Sequence, residues 1–411
     1  MRAILFLLSF TLVSASCQPE PSTKVLTGLD RIVEFKQLFE NKSLGIIANH
    51  TAFNSNGQFI LNVFQEQIPG AKIAALFGPE HGFRGNYSAG KKINEHTFLD
   101  SIPIYSLYGK NVKPTPQMLT GLDVLIFDIQ DVGSRFYTYI WTMALAMEAA
   151  AEQGIPFVVL DRPNPINGLD MEGPLLDPQF ASFVGLYPIP VRHGMTAGEL
   201  ARLFNGQGWL KNGIQADLTV IPMKHWQRDM WYDQTGLKFI APSPNMPNLA
   251  TATVYPGLCL LEGTNVSEGR GTETPFLQFG APWIDAQQLL KHVAQFDLPG
   301  IKLNEAKFTP VSMPGKALRP KYENESCQGL RINLTDRLTF KPFKTGVLIV
   351  KAIHDLYLEQ FSWRKSHFDR LCGTDQLRLY IEQNKSLQPL FDKWQKEVEA
   401  FDRLRQPYLL Y

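Results

Sequence analysis

The chain has 411 residues, of which 44% are hydrophobic and 11% aromatic, enough to bury two hydrophobic cores. Its 40 lysines and arginines balance 39 aspartates and glutamates. Because there is no positive excess to attract phosphates or anionic lipids, the composition excludes nucleic acid and a charged membrane surface as partners.

The N-terminus has the pattern of an export signal, with one positive charge, a short apolar stretch and a run of small residues. Cys17 follows that run directly and resembles the cysteine of a bacterial lipoprotein cleavage site, although Ser14 stands where leucine is usual. We therefore expect residues 1–16 to be a signal peptide, residues 17–27 a tether, and Cys17 a lipid anchor at the periplasmic face of a membrane. An ordinary signal peptide cut nearby is the alternative.

Four short apolar runs each end in a polar cluster, and helix-like segments at residues 30–39, 59–65 and 138–153 separate them. The runs and their clusters are 44–48 with Asn49, 71–77 with 78–85, 124–127 with Asp128, Gln130 and Asp131, and 157–160 with Asp161, Arg162 and Asn164. This alternation predicts a parallel sheet buried on both faces. Ligands of such sheets bind at the carboxyl ends of the strands, where these clusters lie.

The segment at residues 78–85, Gly-Pro-Glu-His-Gly-Phe-Arg-Gly, is the most informative loop of the chain. Glu80 could move a proton, His81 could tune or relay it, and Arg84 could hold an anion. The glycines permit positive φ and a close approach to a ligand. A plain surface turn is the alternative interpretation.

Two further segments favour a sugar as the ligand. Arg135, Tyr137 and Tyr139 offer a guanidinium for an acid and rings for the apolar face of a pyranose, although both tyrosines could instead be core residues. Arg192 and His193 precede a helix predicted at residues 197–205, whose capping box we expect from Thr196 and Glu199.

The second half of the chain contains a strand-like run at residues 217–222, a proline-rich passage around Asn245, and a second acid-and-cation loop. That loop carries Glu262, Asn265, Glu268 and Arg270. The remainder predicts scaffold: helical segments at 285–296, 344–357, 375–384 and 390–404, and a strand at 329–335. Cys259, Cys327 and Cys372 allow at most one disulfide.

No motif indicates a cofactor or a metal. The glycine-rich segments lack a complete phosphate-binding or dinucleotide pattern, and no pair among the eight histidines has the spacing of a zinc helix. A metal-dependent hydrolase that uses His81, His193 and Asp128 remains an alternative whose activity a chelator would abolish.

Six segments in this order resemble the exo-β-N-acetylmuramidases of the NamZ type, also called the DUF1343 family. They are residues 78–85, 127–139, 161–165, 190–196, 242–247 and 261–271. The resemblance implies release of terminal N-acetylmuramic acid from the non-reducing ends of peptidoglycan fragments during cell-wall turnover. It also implies an α/β fold: a Rossmann-like parallel-sheet domain, placed at residues 28–210, a second, smaller α/β domain at 211–411, and the active site in the cleft between them.

The resemblance places the general acid at Glu80, in the glutamate position of the family's Gly-Pro-Glu-His-Gly loop, with His81 beside it. For the second catalytic group we expect Glu268, ahead of Asp128, Asp131 and Glu262. The substrate's lactyl carboxylate calls for a cation, and we expect it to be Arg84, Arg135, Arg192 or Arg270. The alternative function is a lipid-anchored protein that binds a muropeptide or sugar without catalysis.

Overall fold

A computed structural model describes residues 24–85, 97–99 and 101–411, and the strands in these residues form two separate sheets. The strands are β1 (Ser43–Ala48), β2 (Lys72–Gly78), β3 (Thr97–Leu99), β4 (Ile102–Ser106), β5 (Val124–Asp128), β6 (Phe157–Leu160), β7 (Leu218–Ile221), β8 (Gln278–Ala281), β9 (Ile301–Phe308) and β10 (Cys327–Leu334). The helices are α1 (Ile60–Gln67), α2 (Pro116–Leu119), α3 (Tyr139–Glu152), α4 (Ala197–Gly206), α5 (Leu249–Leu258), α6 (Ala286–Val293), α7 (Pro342–Leu356), α8 (Lys365–Cys372), α9 (Gln376–Glu382) and α10 (Gln388–Arg405).

The larger sheet has the strand order β3-β4-β2-β1-β5-β6-β7, and all its strands except β3 run parallel. The predicted α/β fold with a parallel sheet is therefore confirmed. Its central strand β1 is flanked by β2 and β5, because the chain first builds outward on one side and then crosses to the other. That reversal opens a crevice at the carboxyl ends of the strands, where ligands of such folds bind.

Both faces of the central part of this sheet are buried, which explains why β1, β5 and β6 are almost continuously apolar. Ile46 and Ile47 are neighbours in β1 and point into different cores, as the two-residue period of a strand requires. One core lies under α1 and the 3-10 helix Gly28–Leu38. The other lies under α3 and α4 and continues without a break into the second domain.

The second domain is smaller and contains the antiparallel sheet β8-β10-β9, which packs against α6, and α6 packs in turn against α7. Helices α5 and α7 cross very closely at Gly257 and Gly346. A Cβ atom at Gly257 would lie 1.9 Å from the carbonyl oxygen of Pro342, so no other residue fits there without moving the backbone.

The body of the protein exceeds the predicted limits of its first domain at both ends. Val25 and Thr27, which we expected in the tether, are fully buried, and Val25 donates its backbone N–H to the Thr235 carbonyl. Beyond residue 210, β7 still belongs to the large sheet through its pairing with β6. The predicted signal peptide and Cys17 lie outside the described residues.

Local predictions around α4 and the cysteines have clear outcomes. Thr196 caps α4 by accepting a hydrogen bond from the Glu199 N–H, and the Glu199 carboxylate completes the predicted capping box. All three cysteines of the described chain are buried free thiols. Within residues 24–85, 97–99 and 101–411, no helix has both the length and the apolarity to cross a membrane.

Candidate active site

A cavity of about 530 Å³ lies between the edge of the large sheet and the second domain. Glu80 and Thr138 line it from the sheet side, whereas Glu262, Glu268 and Arg270 line it from the second domain. Its volume falls within the roughly 300–1,000 Å³ of small-molecule sites. The two acid-and-cation loops of the sequence therefore meet in the cleft where the site was expected.

The loop after β2 has a tight backbone that fixes the position of Glu80. His81 and Gly82 both adopt left-handed conformations, with φ of 70° and 77°. Such angles are uncommon for a non-glycine residue and here reverse the chain directly after Glu80. Gly85 also has positive φ, and a Cβ atom there would overlap the ring of His50 at 1.8 Å. The loop is therefore pinned at both ends.

The Glu80 carboxylate is held by groups from two neighbouring segments. The Thr138 hydroxyl, just before α3, donates to Glu80 Oε2 at 2.9 Å. The Tyr108 hydroxyl, after β4, also bonds to Glu80; burial, followed by the Glu80 charge, raises the pKa of Tyr108 well above its usual value. Tyr108 therefore stays protonated and donates to the carboxylate, which keeps the acid oriented towards the cleft.

A small recess of about 50 Å³ adjoins the cavity behind Glu80. Of the predicted site residues, Glu80, His81, Tyr137, Asn245 and Arg270 line it. The ring of Tyr255 forms edge-to-face contacts with Phe136 and Phe276, with ring centroids 5.1 and 4.9 Å apart. These rings give the recess an aromatic lining, to which Tyr137 also contributes, whereas Tyr139, also expected to contact a sugar, does not line it.

The opposite wall is an interlocked cluster of two acids and two cations. Arg270 donates to Glu262 Oε1 from Nη2 at 2.7 Å and lies 3.5 Å from Glu268. Lys321 donates to Glu268 Oε2 at 2.9 Å and to the carbonyls of Leu261 and Val266 at 2.8 Å. Both oxygens of Glu268 are therefore oriented by cations.

Glu262, one of the two acids of this wall, has a clearly shifted pKa. Burial alone would raise the pKa of Glu262, but the adjacent Arg270 guanidinium and His367 ring lower it well below the usual value. Glu262 is therefore an ionised partner that fixes Arg270, while Glu268 stands between Arg270 and Lys321.

Arg135 is not at the cavity surface, contrary to the predicted binding role. It is completely buried, and its guanidinium donates to the carbonyls of Pro174, Ile189, Leu371 and Cys372 at 2.7 to 3.2 Å. Because these carbonyls belong to both domains, Arg135 joins them and has no surface to offer to a ligand.

Arg192 is likewise structural. It is 1% exposed, donates to the Ile166 carbonyl at 2.6 Å and pairs with Asp170 and Glu172 at 3.2 and 3.4 Å. Its neighbour His193 is fully buried, with Nε2 3.5 Å from Asp131.

The acid at the end of β5 and the acid after β6 bond within the protein and do not line this cavity. Asp128 is fully buried and bonded through both oxygens to the Arg162 guanidinium. Asp161 accepts hydrogen bonds from the Thr196 and Tyr411 hydroxyls at 2.7 Å, and burial raises its pKa to about 6. Their roles are to hold the strand ends together.

The other predicted binding residues do not line the 530 Å³ cavity. Gln130 and Arg162 line a different cavity of about 670 Å³, while Arg84 is exposed beside the undescribed residues 86–96. Asn49, Tyr139, Asn164 and Asn265 bond within the protein: Asn49 to Thr51, Tyr139 to the Pro242 carbonyl, Asn164 to the Met195 carbonyl, and Asn265 to the Gln360 carbonyl.

Several cavity residues were missed by sequence reasoning because they lie in segments interpreted as scaffold. Lys316, Arg319 and Lys321 line the cavity from the connection between β9 and β10, and Arg364 and His367 line it from the start of α8. The signal was present as three cations within six residues, at 316, 319 and 321, in a segment that also contains Gly315 and Pro320. Among the described residues, no group of three or more His, Cys, Asp or Glu side chains could hold a metal ion.

Carboxyl groups contributed by two domains to one sugar-sized cavity are what a glycoside hydrolase needs. The chain matches two family models, "Exo-beta-N-acetylmuramidase NamZ, N-terminal" over residues 44–250 and "Exo-beta-N-acetylmuramidase NamZ, C-terminal" over residues 253–411. It therefore belongs to the NamZ exo-β-N-acetylmuramidase family.

Individual relatives agree with this membership. The peptidoglycan β-N-acetylmuramidase NamZ of Bacillus subtilis is 46% identical, over 98% of this chain and 96% of its own length. Two crystal structures of DUF1343 family proteins from Bacteroides fragilis are similar, each over 95% of this chain. One has a TM-score of 0.86 with 35% identity over all of its chain, the other 0.76 with 36% identity over 99% of its chain.

Proposed function

We propose that this protein is an exo-acting glycosidase that releases terminal N-acetylmuramic acid from the non-reducing ends of peptidoglycan fragments. The observation that carries the proposal is the meeting of Glu80 with Glu262 and Glu268 across one cavity. Membership of the NamZ family supports the substrate and the reaction. Such an enzyme would act in cell-wall turnover.

Glu80 acts as the general acid in this proposal. Glycosidic cleavage needs a proton on the leaving oxygen as the bond breaks, and the sugar ring then develops positive charge. The Thr138 and Tyr108 hydroxyls donate to the Glu80 carboxyl and hold it where it lines the cavity. His81, next in the chain and 6% exposed, closes the recess behind it.

Glu268 acts as the second group, on the opposite wall. Its carboxylate has one of four roles: it attacks the anomeric carbon, stabilises the positive charge that develops on the sugar ring, activates a water molecule, or supports participation by the substrate's acetamido group. Lys321 and Arg270 fix its two oxygens, which provides the preorganisation that such a group needs. Glu262 holds Arg270 in turn.

The deciding experiment is incubation of the purified protein with a chromogenic β-glycoside of N-acetylmuramic acid, with and without chelator. Release under both conditions supports the glycosidase. Loss of release with chelator would favour the metal-dependent alternative, and binding without release would favour a muropeptide-binding protein. The N-acetylglucosamine glycoside serves as the matched control for the sugar.

For location, we propose that Cys17 is lipidated after removal of residues 1–16 and that the enzyme is held on the periplasmic face of a membrane. The support is the sequence pattern alone: an apolar leader, small residues and then the cysteine. A lipoprotein with several acyl chains binds a bilayer firmly, whereas one chain binds marginally.

A further inference from the structure

The cations that line the cavity differ in whether their donors already bond to other groups of the protein. Arg270 is bonded to Glu262, and Lys321 to Glu268 and two carbonyls. Arg364 donates to the Glu262 carbonyl oxygen, and Lys316 lies 3.6 Å from Glu273. Arg319 also lines the cavity, yet within residues 24–85, 97–99 and 101–411 its guanidinium has no hydrogen bond or ion pair.

Arg319 nevertheless has a well-defined backbone position. It adopts a left-handed conformation with φ of 51°, uncommon for arginine, in the connection between β9 and β10. On one side of it, Met313 and Ala317 exchange two backbone hydrogen bonds at 2.8 and 2.9 Å. On the other side, Lys321 donates to the backbone carbonyls of Leu261 and Val266.

The same connection is also anchored to the recess. Asn245, which lines the recess, donates from Nδ2 to the Lys316 carbonyl oxygen at 2.8 Å. This bond joins the proline-rich passage to the connection between β9 and β10, so Arg319 is held over the cavity by a braced segment. Leu318 beside it is 54% exposed and gives that rim an apolar edge.

The geometry points to Arg319 as the residue that recognises the lactyl carboxylate of terminal N-acetylmuramic acid, an inference that rests on the proposed function. A guanidinium binds a carboxylate through two parallel hydrogen bonds, and an unpaired one has both available. N-acetylglucosamine lacks the lactyl group, so this contact would select one sugar over the other. Arg135 and Arg192, expected from the sequence, are buried and bonded elsewhere.

The test compares two chromogenic glycosides, that of N-acetylmuramic acid and the same compound with its lactyl acid converted to the neutral primary amide. The wild type should prefer the acid. Arg319→Ala should lower kcat/KM for the acid about tenfold or more, mainly through KM, and leave the amide unchanged. Arg319→Lys should retain part of the preference, because it keeps the charge but not the paired donors.

Two variants serve as controls. Lys316→Ala removes the neighbouring cation of the cavity, which lies 3.6 Å from Glu273, and so tests whether the preference belongs to Arg319 alone; Arg403→Ala removes an exposed cation on α10 that lines neither the cavity nor the recess. Both should keep the wild-type ratio of acid to amide. Added salt should weaken the preference of the wild type, since Arg319 is exposed.

Each contrary result has a distinct meaning. An unchanged ratio in Arg319→Ala, an equal loss on both substrates, or loss of the preference in Lys316→Ala instead would overturn the assignment of Arg319. A wild type that cleaves both glycosides without preference would overturn it as well, and leave the glycosidase intact. A wild type that cleaves neither would overturn the proposed function together with the inference.

Discussion

Glu80→Gln is the sharpest test of the proposed chemistry, because the substitution removes a transferable proton and little else. A glutamine side chain keeps the shape of the glutamate and one acceptor oxygen, which can still accept the Thr138 hydrogen bond. We therefore expect the free energy of unfolding to change by less than about 1 kcal/mol. Loss of general acid catalysis typically costs about 10²- to 10⁴-fold in rate, equivalent to roughly 3–5.5 kcal/mol of barrier.

The assay is hydrolysis of the unactivated disaccharide in which N-acetylmuramic acid is linked to N-acetylglucosamine. A chromogenic substrate is a weaker test of Glu80, because a good leaving group needs little protonation. Urea unfolding and calorimetric binding of the disaccharide show whether the variant is folded and still binds. Turnover of the disaccharide within about threefold of wild type would refute the general-acid role.

Thr138→Val provides a matched control for this prediction. It removes the hydroxyl that donates to Glu80 at 2.9 Å but leaves the acid itself. The loss of one hydrogen bond of about 1 kcal/mol should slow turnover by roughly fivefold, far less than Glu80→Gln. A Thr138→Val defect as large as that of Glu80→Gln would mean that the loop had moved.

Three further predictions separate the remaining roles. Glu268→Gln should lose at least 10²-fold in kcat even on the chromogenic glycoside, where Glu80→Gln retains much of its activity; equal behaviour of the two variants on both substrates would contradict separate roles. Because Arg270 holds the folded-state pKa of Glu262 below its usual value of 4.5, the stability from this pair is present above that value and lost as pH falls below it. Glu262→Gln should therefore be less stable than wild type in urea at pH 6, and the difference should shrink at pH 3; a constant difference would show that the charge is irrelevant. Native protein should fractionate with membranes and Cys17→Ala with the soluble periplasm, and entirely soluble native protein would refute the anchor.

The core of the fold could be predicted because continuous apolar runs report burial on both faces of a sheet. β1, β2, β5, β6 and β7 all follow from such runs. β4 does not, because its sequence Ile-Pro-Ile-Tyr-Ser contains a proline and ends in two polar residues, and of its side chains only Ile104 is buried.

The candidate site could be predicted only in part, because polar side chains at strand ends serve structure as well as chemistry. Glu80 and Glu268 reach the cavity as expected, whereas Arg135 is a buried joint between domains. The order of the motifs indicates which residues lie near one another. It does not indicate which side chains use their hydrogen-bond donors on backbone carbonyls and so cannot bind a ligand. Arg319 was missed for a different reason: it lies among three closely spaced cations in the connection between β9 and β10, outside the six segments that carried the family resemblance.

The close crossing of α5 and α7 has a consequence for how this chain can be handled. The two family models divide between residues 250 and 253, which falls inside α5, and the core beneath that helix is continuous across the division. A cut there would leave each fragment with an open apolar face and half a helix. The two family segments therefore form one folding unit, and we expect that neither segment folds when it is expressed without the other.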